Sequence, residues 1–106
     1  MSQSIEIKKY LYYLFSSRED SSPVIYLYDK DDTHIGYLYF TGNESPLEEA
    51  KVFSNGKYAL YFRRSSFSDV IDMLRNESPV YLHYVAEGNN NTRLSTMPEP
   101  VGEQEA

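Results

Sequence analysis

Val24-Ile25-Tyr26-Leu27-Tyr28, then Asp29-Lys30-Asp31-Asp32-Thr33-His34, then Ile35-Gly36-Tyr37-Leu38-Tyr39-Phe40 is the stretch that decides the fold. Successive side chains of a strand point to opposite faces. Ile25 and Leu27 therefore share one face and Tyr26 and Tyr28 the other. In the second run Leu38 and Phe40 alternate in the same way with Tyr37 and Tyr39. Two alternating runs around a polar link read as a hairpin. With the aliphatic side chains turned inward, four phenol rings share the outer face. Gly36 marks a bulge or lets a neighbouring ring lie across it. The acidic link does not fit a calcium loop of the EF-hand kind, which needs Gly at its sixth position and Glu at its twelfth. Counted from Asp29, those places hold His34 and Phe40. Its carboxylates are expected to bond local backbone amides at a solvated hairpin tip.

Upstream, residues 5–15 read as one long strand. Ile5, Ile7, Leu11, Tyr13 and Phe15 form one face, and Glu6, Lys8, Tyr10 and Tyr12 the other. A polar loop at 16–22 leads into Pro23. Downstream, residues 41–46 break the pattern. Ser54-Asn55-Gly56-Lys57 then predicts a type I′ hairpin, because Asn and Gly tolerate the positive φ such a turn requires. It would pair a short strand at about 50–53 with one at 57–63, where Tyr58, Leu60 and Phe62 share a side. The period then changes. Phe67, Val70, Ile71 and Leu74 recur at the i, i+3, i+4, i+7 spacing of an amphipathic helix. Ser66 is its expected N-cap with Asp69 as a box-like partner, Asn76 the left-handed residue past its end, and Pro79 its stop. Residues 80–85 form another strand, with Val80, Leu82 and Tyr84 opposite Tyr81, His83 and Val85. A last strand is expected at 92–97.

These elements make an α+β chain with a mainly antiparallel sheet of six to seven short strands and one short amphipathic helix at about 67–75. A single domain is expected over 1–97, followed by an acidic, Pro- and Gly-containing, poorly ordered tail at 98–106. The sheet should pack Ile25, Leu27, Leu38, Phe40, Leu60, Phe62 and Leu82 against Phe67, Val70, Ile71 and Leu74. So short a helix is a small lid for so many strands. Either the sheet curls into a partial barrel or a second copy of the chain covers the remainder.

Composition removes several function classes. The chain has 106 residues, eleven tyrosines, no tryptophan and no cysteine. Disulfides, thiolate metal sites and thiol nucleophiles are thereby excluded. A hydrophobic share of 41% with a charged share of 25% is globular, not disordered. A formal charge of −6 disfavours non-specific attraction to nucleic acid or anionic lipid. No apolar run reaches the roughly 18–20 residues that span a bilayer. Glu6 stands where a secretory leader would carry positive charge, so a cytoplasmic location without membrane contact is the expectation. His34 and His83 are too isolated for a zinc motif, and no nucleophile elbow or phosphate loop appears. The expectation is therefore a non-catalytic protein without metal or cofactor. The sequons at Asn43, Asn76 and Asn90 are read as chance matches in polar loops.

The tyrosines carry the two remaining readings. In the first, Tyr26, Tyr28, Tyr37, Tyr39, Tyr61 and Tyr81 form an association face. Its partner is the chain itself, as a homodimer, or another protein, since Tyr contributes large, rigid, amphipathic interface area. In the alternative, the same rings stack unpaired bases of a single-stranded nucleic acid, with Lys8, Lys9, Arg63, Arg64 and Arg93 on its phosphates. The helix stripe supplies one expectation for both: Leu74→Ala costs about 2–5 kcal/mol in a denaturant melt, as truncation of a packed leucine does.

Overall fold

The structure, a computed structural model, describes residues 2–16, 22–42, 44–86 and 91–97. Over these the protein is α+β: eight strands in two sheets, one short helix and no closed barrel. In chain order the elements are β1 (Ser2–Ile7), β2 (Lys9–Tyr13), β3 (Val24–Tyr28), β4 (His34–Thr41), β5 (Lys51–Val52), β6 (Tyr58–Arg63), α1 (Phe67–Asn76), β7 (Val80–Val85) and β8 (Arg93–Ser95). One sheet has the order β2-β3-β4-β6-β5 and the other β1-β7-β8. The expected tail at 98–106 and most of the 16–22 loop lie outside the described residues, as do Asn43 and Asn90.

The long N-terminal strand is two strands. Ser2–Ile7 pairs antiparallel with β7, and Lys9–Tyr13 pairs antiparallel with β3, with the break at Lys8. The break resets the alternation. Ile5 and Ile7 face the core, but beyond Lys8 it is Tyr10 that packs against it, while Leu11 is exposed and Tyr13 lies against Tyr26. The expectation that Leu11, Tyr13 and Phe15 continue the Ile5–Ile7 face is thus corrected. The sequence held a sign of it, since Lys9 falls at the position where an unbroken apolar face needed a hydrophobic residue.

Strand β4 is the centre of the larger sheet. It pairs antiparallel with β3 and parallel with β6, the one parallel pair in an otherwise antiparallel arrangement. The connection 42–50 carries the chain back so that β6 runs alongside β4, and β5 then pairs antiparallel on the outside of β6. Arg63, at the end of β6, holds this connection by donating from Nη1 to the carbonyl oxygens of Gly42 (3.2 Å) and Ser45. Parallel pairing also brings Gly36 against Tyr58. A Cβ at Gly36 would meet the Tyr58 carbonyl oxygen at 2.6 Å. The glycine therefore admits a backbone and not a ring. The anticipated bulge is present too, because Tyr28 pairs with His34 while Leu27 pairs with Gly36. Ile35, the extra residue, turns into the core, and His34 turns to the opposite face.

The loops joining β3 to β4 and β5 to β6 close in the same way. Asp32 N donates to Asp29 O at 3.0 Å and Gly56 N donates to Phe53 O at 2.9 Å, each closing a four-residue turn. The fourth residue is left-handed in each, Asp32 at φ 64° and Gly56 at φ 85°. Asn55 is not left-handed, so the turn is not the expected type I′ but the turn-plus-bulge alternative open to longer hairpins. The Asp29 carboxylate accepts from the amides of Asp31 and Thr33 at 2.9 and 3.0 Å, the local bonding expected of this tip.

Helix α1 runs one residue past its expected end. Ser66 makes no side-chain cap bond, because the residues before the helix, Arg64–Ser66, already wind as a 3-10 turn. Asn76 is the last helical residue, and the chain leaves through an extended Glu77. Val70 and Ile71 are buried among Ile25, Leu27, Leu38, Phe40, Leu60 and Leu82, while Phe62, Phe67 and Leu74 pack at the margin of that cluster. Ile7, Ile35 and Val80 complete it. What the helix leaves uncovered on this face is covered by the second sheet. Ile5 and Ile7 of β1, Val80 and Leu82 of β7 and Leu94 of β8 join the same core, and Tyr58 meets Tyr84 at 5.2 Å between ring centroids. Neither a curled barrel nor a second copy is needed there. Among the described residues no helix is long and apolar enough to cross a membrane.

Two stability outcomes follow from this packing. Gly36→Ala should lower the unfolding free energy by about 1–3 kcal/mol, the usual cost of overpacking a tight contact, as read from urea denaturation. Ile71→Ala should fall within the roughly 2–5 kcal/mol range, with Leu74→Ala at or below its lower limit because Leu74 is only partly buried.

Candidate association surface

The face of the five-stranded sheet opposite the core is built from phenol rings. Register brings them together. Tyr26 stands directly across from Tyr37, and Tyr39 across from Tyr61. Tyr37 and Tyr39 are two residues apart on β4 and hence on one side. Their rings touch in series: Tyr26–Tyr37 at 5.3 Å edge to face, Tyr37–Tyr39 at 5.5 Å stacked, and Tyr39–Tyr61 at 5.3 Å stacked. These separations suit offset and T-shaped aromatic pairs, each worth about 0.5–1.5 kcal/mol beyond the area it buries. Tyr13 extends the series at 5.2 Å from Tyr26, and Phe15 follows at 6.0 Å from Tyr13.

His34 joins because the bulge turns it to this side. Its ring lies 5.3 Å from Tyr26, 5.2 Å from Tyr28 and 4.6 Å from Tyr37, and its Nε2 donates to the Gly36 carbonyl oxygen at 3.0 Å. Phe53, in the turn after β5, meets Tyr37 at 5.8 Å. Three ammonium groups border the array, one of them Lys57, which donates from Nζ to the His34 carbonyl oxygen at 2.8 Å. Lys9 lies 4.9 Å over the Tyr28 ring and pairs with Asp32 at 2.8 Å, and Lys51 lies 5.5 Å over Tyr61. Lys9 and Lys51 are each held above the usual lysine range, Lys9 chiefly by its bond to Asp32 and Lys51 chiefly by its bond to the Tyr61 hydroxyl.

Five of the six expected face residues, Tyr26, Tyr28, Tyr37, Tyr39 and Tyr61, thus belong to one surface. Tyr81 does not. It lies on β7 in the other sheet, on the side away from the core, 6.4 Å from His83. Sequence reasoning missed Tyr13, Phe15, His34, Phe53 and Lys51. Tyr13 was hidden by the break at Lys8, and His34 by a bulge that Gly36 signalled without showing which residue would turn. The aliphatic partners of the alternation, Ile25, Leu27 and Leu38, are fully buried on the opposite face.

The cations considered for phosphate contacts are not gathered. Lys9 borders the rings, whereas Lys8 pairs with Glu6 at 3.5 Å near the strand break. Arg63 holds the 42–45 connection, and Arg64 donates from Nη2 to the Ser22 hydroxyl. Arg93 lies in the smaller sheet and donates to the Asn91 carbonyl at 2.6 Å. In that same sheet His83 is fully buried and donates from Nε2 to the Met97 carbonyl at 2.6 Å. Among the described residues no three His, Asp or Glu side chains cluster as metal ligands would. No family model matches the chain, nor does any curated protein or any solved structure.

The rings make stability depend on pH at both ends. Burial, more than the Lys57 charge, lowers the His34 pKa, with the bond to Gly36 opposing. The unfolded chain therefore binds a proton that the folded one refuses, and stability falls as pH drops below the ordinary histidine value of 6.5. Tyr39 and Tyr58 are raised, first by burial and then by neighbouring phenols. The unfolded chain then ionises first, and stability falls as pH rises past the ordinary tyrosine value of 10.0. Urea midpoints across both ranges should show the two declines. His34→Gln should flatten the acid one and Tyr39→Phe should reduce the alkaline one, and unchanged profiles would refute the assignment.

Proposed function

We infer that this protein is a non-catalytic protein-association domain whose docking surface is the ring array, and whose simplest partner is a second copy of itself. The supporting observation is the continuity of the array: half-buried rings from four strands touch in series on the side of the sheet that faces away from both the helix and the second sheet. The orientation of the rings suits protein more than nucleobases. A stacking platform presents open π faces, but Tyr37, Tyr39 and Tyr61 stack on one another with interplanar angles of 21° and 22°. Stacked in this way, the rings cover part of one another's faces along the row. A surface of apolar ring flanks tipped with hydrogen-bonding groups is the composition enriched at protein interfaces.

Replacing Tyr26, Tyr28, Tyr37 and Tyr39 together with Ser should yield a smaller species by light scattering while circular dichroism still reports the folded sheet. A wild-type chain that is monomeric at high concentration would refute self-association and direct the search to a foreign protein.

A further inference from the structure

Strands β2 and β5 are the two margins of the five-stranded sheet. An edge strand leaves half of its amide and carbonyl groups aimed outward, and proteins guard such edges with brevity, lysine, proline, bulges or a covering segment. Strand β5 is guarded, having two residues of which one is Lys51. Among the described residues, strand β2 carries a guard only at its first residue, Lys9. From Tyr10 through Phe15 the sequence has no charge, proline or glycine, and the pairing with β3 is regular along the whole of β2. Leu11, Tyr12, Tyr13 and Leu14 are 46%, 43%, 49% and 65% exposed, whereas the other exposed large apolar residues described, Leu47, Val52 and Met97, stand singly.

We propose that β2 pairs antiparallel with β2 of a second copy about a two-fold axis at Leu11, joining two five-stranded sheets into one of ten strands. In this register Leu11 opposes Leu11, Tyr10 opposes Tyr12, and Lys9 opposes Tyr13 of the other copy. Charge placement favours it over registers nearer Lys9. A register centred on Lys9 sets two ammonium groups against each other, which costs stability in directly opposed pairs. Centred on Leu11, the two lysines stand four residues apart along the seam, about 14 Å at strand rise and beyond the screening length of physiological salt. Each then faces a tyrosine ring, the kind of partner Lys9 already has in Tyr28. A strand from another protein would have to supply this pattern independently, whereas β2 supplies it to itself, as an isologous contact requires. The inference goes beyond the ring-face reading, because it concerns the edge of the sheet and a face-to-face contact would leave β2 open.

The chain has no cysteine, so Leu11→Cys places a single thiol in the molecule. Residues opposed across an antiparallel seam lie about 4.5–5.5 Å apart at Cα, within the roughly 4.4–6.8 Å that a disulfide spans. Under mild oxidation most of the Leu11→Cys protein should become a covalent dimer on a non-reducing gel, while Val52→Cys on the opposite margin stays monomeric. Equal linkage of the two, or none, overturns the seam. As a second arm, Leu11→Lys and Leu11→Glu should each lower the native mass, and mixing them in equal amounts should restore it. Failure of the mixture to reassociate, with both variants folded, also overturns the seam. If the wild type is oligomeric yet Leu11→Cys does not link, the seam falls and the ring-face contact stands. A wild type that is monomeric at millimolar concentration overturns both.

Discussion

The close passage of the Gly36 backbone against Tyr58 is the contact on which the larger sheet depends. A β4 residue with a side chain at that point would force β6 away, and with it the parallel pairing that sets Leu38 beside Leu60 and Tyr39 beside Tyr61. Those two pairs lie on opposite faces. The first belongs to the core and the second to the ring array, so one steric allowance registers both. The bulge next to it has a comparable double effect, sending Ile35 into the core and His34 among the phenols. Core and surface are here two sides of a single register.

The second sheet changes what the rings mean. Had the helix been the only cover, tyrosines on the far side could have been part of a makeshift closure of the fold. Instead β1, β7 and β8 complete the inner face together with α1, and the core closes within one chain. The ring face therefore has no part in covering the main core. Its rings stabilise one another through stacking and edge contacts, and two lysines lie over their margins. Such a surface costs solvation while it stays open, and that cost is the reason the proposed function gives it a protein partner. The arginines are spent differently: Arg63 binds carbonyl oxygens of the connection that makes parallel pairing of β4 and β6 feasible.

Much of this was legible in local pattern. The alternation in β3 and β4 correctly sorted Ile25, Leu27, Leu38 and Phe40 from Tyr26, Tyr28, Tyr37 and Tyr39, and the change of period at Phe67 located the helix. What pattern misjudged were single-residue interruptions. Lys8 divides a strand that period alone would continue, and the extra residue Ile35 reverses the facing of His34. One residue is enough to exchange the faces of everything beyond it, because the strand period is two. Tyr81 shows a different failure. Its alternation on β7 was read correctly, but its sheet was not, because membership of a sheet depends on partners distant in sequence.

By itself the sequence determined which side chains share a face along uninterrupted runs of strand, where the helix begins, that the chain offers no thiol chemistry, and that its outward aromatic area is phenolic. These are consequences of backbone periodicity and composition. The tertiary structure alone decided that the strands separate into two sheets, that β4 and β6 run parallel, that the core is covered without a second chain, and which rings finally touch. Those outcomes turn on long-range pairing, where a backbone carbonyl meeting a residue that lacks a Cβ, or an arginine reaching across a connection, settles the matter. Neither is visible in any local run of residues.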